Sequence, residues 1–327
     1  MRAAWTFVLL VAACSPTADS SGPPPDSPLS DPSRPLPATM RELGLFPDAP
    51  NLDTTAETAV AYAPAYPLWS NGSDKQRHLA LPEGETIDTR APDAWAFPVG
   101  TLLFKTFAYE GVPVETRVMV RTAEDDWEYE VYAWSDDGED AQLLSLDERV
   151  VVPVAGGSQH TIPARLDCRV CHETAADPVL GMTRVQLSHD QALGPGLDAA
   201  TEAGLLSDAV DSAPRIEDTA PPGTGDVLRS FYGNCVHCHH GGDGDNASFD
   251  LRPDVALANS VGQPTASSAA AAGIRIVPGD PSQSMLFLAV SGEHDDPEIK
   301  NMPPVGVDVR DAASIETLRS FIGGLPQ

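Results

Sequence analysis

Two short strings constrain this chain more than any other feature: Cys168-Arg169-Val170-Cys171-His172 and Cys235-Val236-His237-Cys238-His239. Each sets two thiols three positions apart with an imidazole immediately after the second. That pattern suits covalent attachment of haem c. The thiols bond the two vinyl-derived carbons on one porphyrin edge, and the histidine lies under the iron as proximal ligand. Repeated Cys-x-x-Cys pairs are also a zinc pattern, but a zinc ribbon keeps its pairs closer and needs no histidine after each. A thioredoxin-like dithiol would need a βαβ context, which the sequence lacks. The expectation is two covalent haem c groups, held by Cys168 and Cys171 and by Cys235 and Cys238. His172 and His239 are the proximal iron ligands.

The second string has a partner in Asn301-Met302-Pro303-Pro304. Proline presets φ and stiffens the loop, and a thioether in the distal position favours Fe(II). Met302 is therefore the expected distal ligand, with Met285 or His240 next in line. The flanks fit. Residues 226–232 read as a short helix running into the motif, capped by Asp226 or a neighbour. Asp311 can cap a helix over 312–322, in which Ile315, Leu318 and Ile322 form one apolar face, and Gly323-Gly324 ends it. Helix, motif, Met loop, helix: residues 226–327 resemble a monohaem cytochrome c module.

The region 161–225 is expected to hold the first haem. Candidates for its distal ligand are His189, Met182, His160 or a residue from another region, with an open position as the alternative, and a filled sixth position giving low-spin iron is expected. A weak helix is expected over 199–206, followed by a Pro- and Gly-containing linker over 214–225. Only about fifty residues surround this motif, so it should pack against its neighbours.

Upstream, residues 101–109 read as a strand, and 114–122 and 127–134 alternate with period two. Val114, Val118 and Val120 share one face, and Glu115, Arg117 and Arg121 the other. Asp136-Asp137-Gly138 marks a turn, and Leu143-Leu144 and 150–152 continue the pattern. The expectation is an antiparallel β-sandwich or barrel-like domain over 38–160, followed by mostly α cytochrome c-type haem regions, in a multidomain chain. Met40–Gly44 reads as a single helical turn, and Tyr66-Pro67-Leu68-Trp69-Ser70-Asn71-Gly72 as an aromatic anchor followed by a turn. Lys75, Arg77 and His78 form a small basic cluster. It reads as a solvated loop, with haem propionates or a partner as the alternative. No Ser/His/Asp grouping or phosphate loop stands in this region, and its aromatic stripe reads as core. The acidic run Asp243-Gly244-Asp245-Asn246 lacks the later ligands of an EF-hand.

The N-terminus reads as an export signal. Arg2 precedes an apolar run over 3–12, and Val11-Ala12-Ala13-Cys14 resembles a bacterial lipobox, with Cys14 as the lipidated residue. Five cysteines divide into one anchor and two haem pairs. Residues 15–37 read as a Pro/Ser-rich tether. With a formal charge of −28 and pI about 4.3, the chain is a poor nucleic-acid binder and favours basic partners or cations.

The ordered combination is more specific than its parts. Trp69-Ser70-Asn71-Gly72-Ser73-Asp74-Lys75, Phe97-Pro98-Val99-Gly100-Thr101, the first motif with Leu180-Gly181 and Gln186-Leu187, the second motif, and Met302-Pro303-Pro304 follow one another over residues 40–327. This resembles a family of bacterial exported dihaem c-type cytochromes with a β-rich N-terminal region. The resemblance implies haem binding and electron transfer. With the export signal and lipobox, the expectation is a carrier in the bacterial cell envelope, anchored to a membrane by the N-terminal lipid and working with a redox partner protein. A dihaem peroxidase- or oxidase-type enzyme using the first haem as an open site is the alternative. A third reading makes the β region a docking module for a larger oxidoreductase.

Overall fold

The computed structural model describes residues 27–31, 33–91, 94–175, 177–241, 249–265 and 273–327. The export signal, Cys14, most of the tether and the acidic run Asp243–Asn246 lie outside the described residues. No helix among those described is long and apolar enough to cross a membrane.

Six strands form one antiparallel sheet in simple sequence order: β1 Val60–Ala61, β2 Asp74–Ala80, β3 Leu102–Tyr109, β4 Val112–Ala123, β5 Asp126–Trp134 and β6 Ala141–Leu143. The long middle strands coincide with the three stretches read as strands from the sequence, and β3 is buried on both faces. β1 and β6 are the outer strands, so the sheet is an open meander rather than a closed barrel. A two-stranded ribbon follows, β7 Val150–Pro153 with β8 Gln159–Ile162. It packs Ile162 on Val131 and Leu144.

Both faces of the sheet are covered. One carries Phe104, Val118 and Tyr132 against α1 (Met40–Leu43) and Phe46. Thr39 caps this single-turn helix by accepting from the Glu42 amide, and Gly44 ends it in the left-handed region at φ 79°. Leu29, within the expected tether, is also buried in this cluster, and the Ser27 hydroxyl donates to the Leu43 carbonyl. The tether's last residues thus belong to the fold. The other face carries Leu79, Leu103, Trp127 and Tyr129 against Val179, Met182, Leu187 and Leu197 from the first-motif region.

That region contributes short helices: α2 Arg165–His172, α3 Arg184–Leu187, α4 Leu197–Glu202 and α5 Ile216–Thr219. α5 falls inside the stretch expected to be linker, because Ile216 is buried against Tyr66 and Val227. The C-terminal part adds α6 Gly225–Asn234, α7 Ala256–Ser260, α8 Met285–Ser291 and α9 Ala312–Gly324. α6 and α8 pack on α9, whose Leu318 and Ile322 are buried on the face that the spacing predicts. Asp311 caps α9, its carboxylate accepting from the Ser314 amide at 3.1 Å. At α6 the expected cap differs. Thr224 holds the N-cap position without a side-chain capping bond, its hydroxyl donating instead to the Pro221 carbonyl at 2.7 Å, and Asp226 pairs with Arg229 one turn on.

Candidate functional site

α6 runs directly into the second motif. Its Phe231 carbonyl accepts from the Cys235 amide at 2.8 Å, and the Cys235 carbonyl accepts from His239 at 2.9 Å. The two thiols and the imidazole are thereby held on one tight turn. They line a cavity of about 560 Å³. Met302 lines the same cavity, across from the motif in sequence but joined to it in space, and so do Phe231, Phe249 and Ile299. Such a cavity is of the size and apolar character that takes a small planar cofactor. His239 sits against the Phe249 ring, centroids 4.9 Å apart. Its Nδ1 is buried with no partner, and burial holds its pKa below the usual imidazole value. Burial also pushes the Cys235 thiol up to about 12. Met302 is tied to α8 by its amide, which donates to the Ala289 carbonyl at 2.9 Å. Met285 lines the cavity as well, whereas His240 turns away and bonds the Thr174 carbonyl at 2.8 Å.

The loop beyond Met302 is gripped by the N-terminal region. Asn71 takes the left-handed conformation, φ 55°, which asparagine tolerates better than most residues. Its Oδ1 accepts from the amides of Asp308 and Val309 at 2.8 and 3.0 Å. The Trp69 indole donates to the Val309 carbonyl at 2.7 Å, and the Trp69 amide donates to Asn234 Oδ1 at 2.7 Å. Asp308 reaches on to β8, accepting from the Thr161 amide at 2.8 Å and hydroxyl at 3.1 Å. The aromatic anchor and turn read from the sequence thus brace the wall of the second cavity. Tyr66 lies in the C-terminal core, and Gln186 fastens it there, its Oε1 accepting from the Tyr66 amide at 2.9 Å.

The first motif occupies the end of α2, which packs on β5. His172 Nδ1 lies 2.7 Å from the Pro178 carbonyl oxygen. A carbonyl only accepts, so Nδ1 carries the proton and Nε2 keeps its lone pair free for a metal. Burial holds the ring neutral, its pKa pushed down to about 4. Tyr129 stands beside it, ring centroids 5.5 Å apart. Of the candidate distal ligands, two are committed elsewhere. His160 bonds Tyr109 Oη through Nδ1 and Glu115 Oε1 through Nε2, both at 2.9 Å. His189 bonds the Asp190 and Ala63 carbonyls through its two nitrogens, each at 2.7 Å. Met182 remains, 1% exposed in the apolar cluster against which Cys168 packs.

The two motifs meet. Ligand atoms of Cys171, His237 and Cys238 lie within 4.8 Å of one another. A hydrogen bond from Cys171 draws the Cys238 thiol down to about 4, and the same contact raises Cys171. Cys168 packs instead in the sheet-facing clusters and Cys235 in the C-terminal core. The four thiols therefore do not converge as a four-cysteine zinc site requires.

The basic cluster read as a loop is strand. Lys75, Arg77 and His78 lie on β2. His78 is buried on the α1 side against Phe46, whereas Arg77 lies on the face toward the first motif. Sequence reasoning missed Lys105 and Glu115 on that same face, because alternation marks polar positions but not what later covers them.

No family model, curated protein or solved structure matches the chain.

Proposed function

We propose that the chain is a dihaem c-type cytochrome that passes electrons between protein partners in the bacterial cell envelope, held to a membrane by lipid on Cys14. The supporting observation is the second cavity. Two thiols, an imidazole and a thioether from four points in the sequence line one apolar space of about 560 Å³. Haem c, when bound, supplies a one-electron Fe(III)/Fe(II) couple. The chain's own residues do the rest. Cys235 and Cys238 would hold the group covalently, His239 and Met302 would bind its metal, and Phe231, Phe249 and Ile299 would keep water from it. At the other motif, Cys168 and Cys171 would hold the second group, and His172 is oriented by Pro178 with Nε2 free. Met182 is the sixth ligand we assign there. The helical regions after the sheet would then be cytochrome c-type in character.

Expression with a haem-maturation system tests this. Two haems per chain that resist acid–acetone extraction are expected, and one or none would refute it. A peroxide-turnover assay on the reduced protein separates the carrier from a peroxidase-type enzyme.

A second reading is favoured by one observation, the convergence of Cys171, His237 and Cys238. Two thiolates and an imidazole suit a soft cation such as zinc or copper(I). Metal analysis of protein made without the haem-maturation system distinguishes it. One equivalent of tightly held metal, lost on Cys238→Ser, would support the metal centre.

A further inference from the structure

Arg77, Lys105 and Arg117 stand directly opposite one another on β2, β3 and β4, in one unbroken cross-strand row. Adjacent strands lie about 4.8 Å apart, and like charges set opposite each other destabilise a sheet. The row lies on the face that carries Leu79, Leu103 and Tyr129, toward the first motif. All three side chains are half-buried.

Arg117 has its answer. It forks onto Glu115, Nε to Oε2 at 3.0 Å and Nη2 to Oε1 at 2.6 Å. Arg77 and Lys105 make no such bond, and Lys105 feels the Glu115 charge only as the smallest of the influences on it. Among the described residues neither forms an ion pair with a carboxylate, in a chain with 48 acidic and 20 basic residues. Lys105 leans on the Phe107 ring at 4.8 Å, and Arg117 shares that ring at 4.5 Å. A cation–π contact is worth about 0.5–2 kcal/mol. It offsets only part of the cost of two neighbouring cations. Burial, then the charges of Arg77 and Arg117, hold the Lys105 amine well below its ordinary pKa. Its charge is felt at His172 and at Cys171. Tyr62 stands next to Arg77, close enough for the guanidinium to bear on its phenol.

We propose that Arg77 and Lys105 form a binding site for a carboxylate or small oxyanion facing the Cys168–His172 motif. A guanidinium fork and an ammonium side by side give the planar and point-charge contacts that carboxylates take. The anion supplies the charge that the sheet withholds. Two sources share this chemistry: a propionate of haem bound at the first motif, which rests on the dihaem reading, or a free oxyanion, which does not.

Wild type, Lys105→Met and Arg77→Gln/Lys105→Met are made with haem maturation, and haem per chain is counted first. Each is then followed by redox titration, by the haem-propionate bending band in the resonance Raman spectrum, and by thermal unfolding with added sodium formate or sodium sulfate. If the anion is a propionate, the double variant lowers the potential of one haem and shifts one propionate band, while neither salt acts on wild type specifically. If the anion is free, formate or sulfate raises the wild-type unfolding midpoint saturably, and the variants bind at least about tenfold more weakly, the effect of losing a 1.4 kcal/mol contact. Absence of haem would sink the dihaem reading alone, and the salt titration still decides this one. Unchanged propionate bands together with equal salt responses in wild type and variants would overturn the site.

Discussion

Replacing Asn71 tests whether the N-terminal region braces the Met302 loop. Asn71 is 6% exposed and left-handed at φ 55°, and its Oδ1 accepts two amides at 2.8 and 3.0 Å. Asn71→Ala removes the acceptor of both bonds and places a less tolerant residue in that conformation. Asp308 and Val309 are themselves exposed, so water takes up part of the loss, leaving about 0.5–1 kcal/mol per bond. The left-handed backbone adds about 1 kcal/mol for alanine. The expected destabilisation is about 2–3 kcal/mol, read as a lower urea midpoint at unchanged m. Asn71→Gly separates the two causes. Glycine adopts φ > 0 freely, so it should cost about 1–2 kcal/mol, the hydrogen-bond part alone. In both variants the amides of Asp308 and Val309 should exchange with solvent faster, while the β3–β4 amides keep their protection. An alanine variant within about 0.5 kcal/mol of wild type, a threshold within ordinary surface effects, would refute the brace. A glycine variant as costly as alanine would refute the backbone part.

Met302→Ala should remove the weak near-red band of Fe(III)–thioether bonding in the haem-loaded protein and lower that haem's potential; retention of both would move the ligand to Met285, which lines the same cavity. Burial pushes the His78 pKa down to about 4 from 6.5, so its neutral ring favours the folded state. That contribution is complete above pH 6.5 and is lost as pH falls toward 4, by about 3 kcal/mol in all. Urea midpoints at several pH values should fall over this window, and an equal fall in His78→Phe would show that other groups cause it. Labelling with a radioactive fatty acid should tag wild type and not Cys14→Ser; equal labelling would remove the anchor.

What could be read from the sequence was local. Alternation located β4 and β5, a run of apolar and β-favouring residues located β3, and the spacing of Ile315, Leu318 and Ile322 located α9. The motif spacing drew attention to the cysteines that now line the second cavity. What escaped depends on distant chain. Glu115 and Arg117 look like a solvent face of β4, yet Glu115 is fully buried, because β8 brings His160 onto it from 45 residues away. α5 looks like linker until Tyr66, 150 residues earlier, takes the Ile216 amide. His189 looks like a ligand until the Ala63 carbonyl occupies it from 126 residues away. No local period carries such pairings.

The contact of Asn71 with Asp308 and Val309 spans 237 and 238 residues. The segment it closes contains both cysteine motifs. A chain synthesised from its N-terminus presents Asn71 and the whole sheet well before the last two helices exist. The sheet can therefore settle early, since its strands pair only with their neighbours in sequence. The closing contact must wait for residue 309, and it bears the loop-closure entropy of the whole span. Until then the wall of the second cavity stands open, with Cys235 and Cys238 reachable from solvent. The order of synthesis thus sets an order of completion, sheet before second cavity, with Asn71 as the latch that is ready first and engaged last.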